Sequence, residues 1–167
     1  MMRTLLVLVC VALVLLTFLG MSRGWRNRMA RQAVLPALPP VPGDLFGEVL
    51  RADGLYVGTS YASSWQDRVV HGGLGERAAA TAVLYPSGLL LNRDGTAPLF
   101  LPRECWIEAR LAPGLVGKVM GEGGLLTVRW QLGNALLDTA FRADDKSTYP
   151  AWVAAINAKK NNEGVNV

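Results

Sequence analysis

The chain has 167 residues, room for one ordinary domain beyond a terminal segment. Its formal charge of +4 is unevenly placed: residues 1–43 hold five arginines and no acid, which leaves 12 Lys and Arg against 13 Asp and Glu from Asp44 onward, a net of −1. A near-neutral domain lacks the electrostatic footprint for a phosphate backbone, which argues against nucleic acid as its partner.

The first element is an uncharged apolar run over residues 4–21, dominated by leucine and valine. Eighteen or so such residues, at about 1.5 Å rise each, cross most of a hydrocarbon layer roughly 30 Å thick. The rival reading is a cleaved signal peptide, which needs a charged start, an apolar core of roughly 7–15 residues and small residues at the cleavage site. Here the start is only Met1-Met2-Arg3, and the residues after Leu16 are large where a cleavage site needs small ones. The run is therefore read as a retained transmembrane anchor over 1–22. Arg3 precedes it, whereas Arg23, Arg26, Arg28 and Arg31 follow within ten residues. Basic residues beside a spanning helix favour the cytoplasmic face, so the expected topology is single-pass in the cell membrane with the N-terminus outside and the domain inside. Trp25 suits the headgroup level. Arg23, Trp25, Arg26, Arg28 and Arg31 together make a candidate membrane interface facing the anionic inner leaflet of the lipid bilayer.

Residues 23–43 read as a basic juxtamembrane segment and a proline-rich linker. Pro36, Pro39, Pro40 and Pro42 stop any helix and favour extended polyproline II, a spacer of roughly 35 Å at about 3.1 Å per residue.

From Asp44 to about residue 160 the pattern is strand after strand. Residues 46–51 and 55–61 are apolar, aromatic and β-branched, separated by Asp53-Gly54, a hairpin pair. Residues 62–76 are irregular. Strands are expected over 77–85, 89–91 and 99–101, with turns at Pro86-Ser87-Gly88 and 92–95. In 106–111, alternation puts Ile107, Ala109 and Leu111 on one face, with Cys105 in the same inward register. The clearest hairpin follows. Leu126, Val128, Trp130 and Leu132 alternate with polar residues, Gly133-Asn134 turns, and Leu137, Thr139 and Phe141 alternate on the return. Asp138 and Arg142 are placed to pair on that strand. The last element is an amphipathic helix capped by Ser147 or Thr148, with Pro150 in its first turn and Trp152, Val153 and Ile156 at helical spacing. Residues 161–167 are a polar tail. The fold class is mainly β: an antiparallel barrel of seven or eight strands closed by a C-terminal α-helix.

The residues also carry a resemblance. Tyr56-Val57-Gly58-Thr59-Ser60-Tyr61 with Trp65 and Arg68, Gly88-Leu89-Leu90-Leu91, Gly117-Lys118-Val119, and Leu137-Asp138-Thr139-Ala140-Phe141-Arg142 resemble a family of actinobacterial single-pass membrane proteins with a pleckstrin-homology (PH)-like domain. Its members are often labelled transporter or export protein. The resemblance spans nearly the whole chain and implies a PH-like barrel behind an anchor, with no cofactor and no catalytic set.

Chemistry beyond that is sparse. Val116-Gly117-Lys118-Val119 sits among glycines but has Ala112 where a phosphate loop needs glycine and Val119 where it needs Ser or Thr, and it joins two strands. Gly117, Lys118 and Gly121 are instead a candidate contact loop. His71 is the only histidine, too few parts for a serine triad or a histidine-based metal cluster. Cys10 and Cys105 cannot pair across the expected membrane topology, consistent with a reducing compartment. Two functions follow: a membrane-tethered, non-enzymatic binding module that positions a protein partner or senses the inner leaflet, and alternatively an accessory subunit of a membrane transporter. One spanning helix alone has no second helix to line a substrate site.

Overall fold

The computed structural model describes residues 10–24, 35–115, 118–119 and 124–163. The chain divides into two units, one ending at Val34 and the other starting at Leu35.

In the first unit residues 10–24 form helix α1. Its leucines, valines and Phe18 are exposed, and Arg23 is exposed near its end. Its two hydroxyls turn back onto the helix, Thr17 donating to the Val14 carbonyl at 2.8 Å and Ser22 to that of Leu19 at 2.9 Å. That geometry spares them an outside partner. Among the described residues no helix is long and apolar enough to cross a membrane. The expected run begins at residue 4, and its first part lies outside the described residues, as do Trp25, Arg26, Arg28 and Arg31.

The second unit is built on one strand. β1 (Leu50–Tyr61) runs straight through Asp53-Gly54, where the local sequence signals a hairpin. Its first half pairs with β3 (Ala78–Tyr85) and its second half with β10 (Ala135–Ala143), so it serves both halves of the sheet. Gly54 lies where both partners meet it, opposite Ala80 and Ala143. A Cβ there would overlap the Arg142 carbonyl oxygen, so glycine is required by close backbone approach and not by a turn.

The sheet order is β5 (Leu99–Pro102), β4 (Gly88–Arg93), β3, β1, β10, β9 (Leu125–Leu132), β6 (Trp106–Ala112), all antiparallel, with β2 (Ser64–Arg68) added to the end of β1. A short pair, β7 (Gly114–Leu115) with β8 (Lys118–Val119), follows β6. Helix α2 (Tyr149–Glu163) ends the described chain. This is the expected strand-then-helix order, but the sheet is open: no ladder joins β5 to β6 among the described residues. The physical reason is α2. Asn157 accepts from the Ala109 amide at 2.7 Å and donates to the Ala109 carbonyl at 2.8 Å, taking the free edge of β6. A 3₁₀ turn, Arg103–Cys105, carries the chain from β5 to β6, and Trp106 Nε1 donates to the Leu101 carbonyl at 3.1 Å across the gap.

The inner face of the sheet and α2 enclose the main core, which includes Tyr56, Leu91, Trp130, Leu137, Trp152 and Ile156. A polar chain runs through it. The Tyr56 hydroxyl donates to the Leu74 carbonyl at 2.7 Å and meets Thr59 Oγ1 at 2.8 Å. Thr59 meets Thr139 at 2.8 Å, and Trp130 Nε1 donates to Thr139 Oγ1 at 2.9 Å. Arg93, 5% exposed, lies 4.8 Å from the Tyr56 ring centre and donates to the Gly73 and Ala97 carbonyls. Burial pushes the Tyr56 phenol up to about 12, against the opposing pull of the Thr59 hydrogen bond and the Arg93 charge.

Two further expectations shift. The β6 alternation breaks at an irregularity between Trp106 and Glu108, so Trp106 and Ala109 are both buried in the core while Ile107 is 44% exposed; Leu111, in register with Ala109, is 43% exposed, and Ala112 is buried on the opposite face. Cys105 is half-buried and packs against the core. Within the proline-rich segment, Leu35 and Leu38 also pack against the core. The Pro36 ring stands over the Gly133 turn and Leu38 over Gly72. Residues 35–38 therefore lie against the domain instead of spanning free space, because two leucines gain more from burial than a spacer gains from freedom.

Candidate binding pocket on the outer face of the sheet

Pleating sends alternate residues of β1, β6, β9 and β10 to the face away from α2. That outer face has its own small apolar cluster, Val57, Leu115, Leu125 and Ala140, in which Leu115 of β7 covers the sheet. Beside it lies a charge network. The β9–β10 hairpin turns at Gly133-Asn134, with Gly133 at φ 57°, which fixes the register and sets Arg129 opposite Asp138. The β6–β9 ladder places Glu108 opposite Arg129, and Arg110 opposite Thr127.

The Asp138 side chain is 4% exposed and its carboxylate is fully engaged. Arg129 grips it in two places, Nε to Oδ1 at 2.8 Å and Nη2 to Oδ2 at 2.9 Å, and Arg110 Nη2 reaches Oδ2 at 2.7 Å. Glu108 Oε1 stands 3.3 Å from Arg129 Nη1 and 3.7 Å from Arg110 Nε. The Asp138 hydrogen bond is the main reason that the Arg129 guanidinium is held above its ordinary pKa. Two guanidinium groups and two carboxylates balance, so the network neutralises itself.

Above this floor is a pocket of about 400 Å³. One wall is the end of β1 and start of β2, with Ala62, Ser63, Ser64 and Trp65; the other is Ala112, Pro113, Gly114 and Leu115; Arg110 and Asp138 also line it. Trp65 is 43% exposed. Two hydroxyls flanking the floor, Ser60 Oγ and Thr127 Oγ1, are buried and have no hydrogen-bond partner among the described residues. Ser60 is the strand partner of Asp138, and Thr127 that of Arg110. An unsatisfied buried hydroxyl costs about 1–3 kcal/mol, and the third such hydroxyl among the described residues, Thr96 Oγ1, is not in the pocket lining either.

The residues proposed from sequence fall elsewhere or outside view. Arg23 is on α1, and the rest of the membrane-interface set lies outside the described residues. Of the contact loop, Gly117 and Gly121 lie outside the described residues, while the Lys118 backbone pairs with Leu115 in the β7–β8 strap. The strap's near end, Pro113 to Leu115, does reach the pocket. Asp138 does not pair with Arg142; Arg110 and Arg129 hold it instead. The Arg129–Asp138 pair was readable, because counting outward from a two-residue turn at Gly133-Asn134 gives that register. Arg110, Trp65 and the pocket carried no such local signal. Among the described residues no three His, Cys, Asp or Glu groups gather to hold a metal ion.

The model of the bacterial PH domain-like family matches residues 35–157. The chain belongs to that family. The match starts at Leu35, where the second structural unit starts, and ends at Asn157, the α2 residue that closes the β6 edge. None of the curated proteins matches the sequence.

Proposed function

We propose that this chain is a non-enzymatic binding module tethered to the cell membrane, with its PH-like domain on the cytoplasmic side positioning a protein partner. The observation that carries the reading is the outer-face pocket of a PH-like domain: it is formed, mostly apolar, and lined by no histidine or cysteine among the described residues. Its charges are spent on one another, as suits recognition better than proton transfer. The tether is supported by the uncharged run 4–21 and the likeness to actinobacterial single-pass proteins. The orientation is supported by Arg23, Arg26, Arg28 and Arg31.

Fractionation of cells expressing the full chain tests this. The protein should stay with membranes through alkaline extraction, and a C-terminal reporter should be active only inside. A chain that washes off, or a reporter active outside, would contradict the proposal. Replacing residues 4–21 with an unrelated spanning sequence should leave partner capture intact. Loss of capture would favour the transporter-accessory role, in which the helix itself makes the contact.

A further inference from the structure

We infer that the outer-face pocket takes a monoanionic carboxylate attached to an apolar body. This rests on the reading of the domain as a binding module and names the ligand class for it.

The charge comes from Arg110. Among the described residues it is the only guanidinium that lines the pocket, since Arg129 is committed to Asp138 and Glu108 behind it. Arg110 spends Nη2 on Asp138 and turns Nε toward Glu108, while its Nη1 has no partner among the described residues. The side chain is 38% exposed and lines the pocket, which leaves the guanidinium within reach of a ligand. One free donor arm on one guanidinium suits a carboxylate oxygen. The Asp138 carboxylate, also part of the lining, sets the upper limit on ligand charge. A phosphate dianion or a polyphosphate headgroup would bring two or more negative charges beside it with no second cation to offset them. A single negative charge adds least to that repulsion while still taking the Arg110 donor.

The body is set by the walls. Ala112, Pro113 and Leu115 face the Trp65 side across a volume that suits a phenyl or branched aliphatic group with its carboxylate. Trp65 is a half-exposed aromatic with a ring face to offer such a group. The Ser60 and Thr127 hydroxyls, strand partners of Asp138 and Arg110, are buried beneath the lining and are not themselves part of it. The same chemistry is offered by a free aryl- or alkyl-carboxylic acid and by the C-terminal carboxylate of a peptide ending in an apolar residue.

The test uses the full chain in phosphatidylcholine nanodiscs, with ¹⁵N-labelled tryptophan. The probes are phenylacetate, its neutral amide phenylacetamide, phenyl phosphate, and the peptide acetyl-Ala-Ala-Phe with a free or an amidated C-terminus. Phenylacetate or the free-acid peptide should shift the Trp65 indole resonance saturably; whichever binds more tightly identifies the source. The amides should bind about tenfold more weakly, and Arg110→Gln should weaken the acids by about tenfold while Arg110→Lys retains part of the affinity. The Trp130 indole, bonded to Thr139 in the core, reports the fold in the same spectrum. If Arg110→Gln moves it, Arg110→Lys and the acid–amide comparison decide. Equal binding of acid and amide, tighter binding of phenyl phosphate than phenylacetate, or no saturable shift with either acid would overturn the inference. Those failures leave the membrane placement untouched, because fractionation tests it separately.

Discussion

The two faces of the same four strands handle polar groups in opposite ways. On the inner face the hydroxyls of Tyr56, Thr59 and Thr139 and the Trp130 indole N–H form a chain in which each has a partner. On the outer face Asp138 is overcommitted to two arginines, while Ser60 and Thr127 have no partner among the described residues. A network in which every member is partnered specifies one packing and resists change; one flanked by unpartnered hydroxyls is less fully specified. The lesson is that burial alone does not separate structural from functional polar groups. Ser60 and Thr59 are adjacent, equally buried, and differ only in the face they serve.

That contrast can be broken most forcefully from the inside. Trp130→Ala removes a fully buried aromatic and one partner of Thr139, and should cost about 4 kcal/mol, lowering the urea midpoint steeply. A small change would mean that the inner network is not the fold's foundation.

The next effect is chemical. The Tyr56 phenol titrates near 12 in the folded chain against an ordinary value of 10. A raised acid pKa means that the folded state favours the neutral phenol. This contribution is complete below pH 10 and is lost as pH climbs toward 12, a total of about 3 kcal/mol. Burial also raises Tyr61 and Tyr149, so ultraviolet titration of the four tyrosines should show Tyr56 ionising last, together with unfolding in that window. Tyr56→Phe should remove the late step, at the expense of leaving the Leu74 carbonyl short of a donor.

Smaller again is the edge clamp. Asn157→Ala frees both the N–H and the carbonyl of Ala109 and should cost about 1–2 kcal/mol, with faster amide exchange confined to β6 and α2. Exchange that rises uniformly would contradict the view of α2 as the closure of an open sheet. At the bottom of the scale, Glu48→Ala breaks an exposed pair with Arg51 at 3.2 Å and should change the midpoint by well under about 1 kcal/mol.

Much of this architecture was legible in the sequence, for identifiable reasons. The β9–β10 hairpin combines period-two alternation with a two-residue turn, and both signals are local. Helix α2 declares itself through Pro150, Trp152 and Ile156, although its preceding 3₁₀ turn is capped by Asp145, which accepts from the Ser147 amide at 2.9 Å. Gly54 misled because Asp-Gly is a turn signal locally, whereas here the glycine answers to a neighbouring backbone 88 positions on. Ile107 misled because one irregularity in β6, between Trp106 and Glu108, takes it off the face it was expected to share with Ala109, whereas Leu111 keeps the Ala109 register and is exposed all the same. The pocket was not legible because its parts come from the β1–β2 turn, β2, β6, β7 and β10, and their meeting is a product of the sheet order. Leu35 and Leu38 hid in a proline-rich composition that reads as spacer.

The division of labour between the two faces reduces to two indole signals in one spectrum. On titrating the full chain with phenylacetate, the Trp65 resonance should move saturably and the Trp130 resonance should stay in place. A Trp65 signal that does not respond, or a Trp130 signal that moves with it, would contradict the assignment of binding to the outer face and of the fold to the inner one.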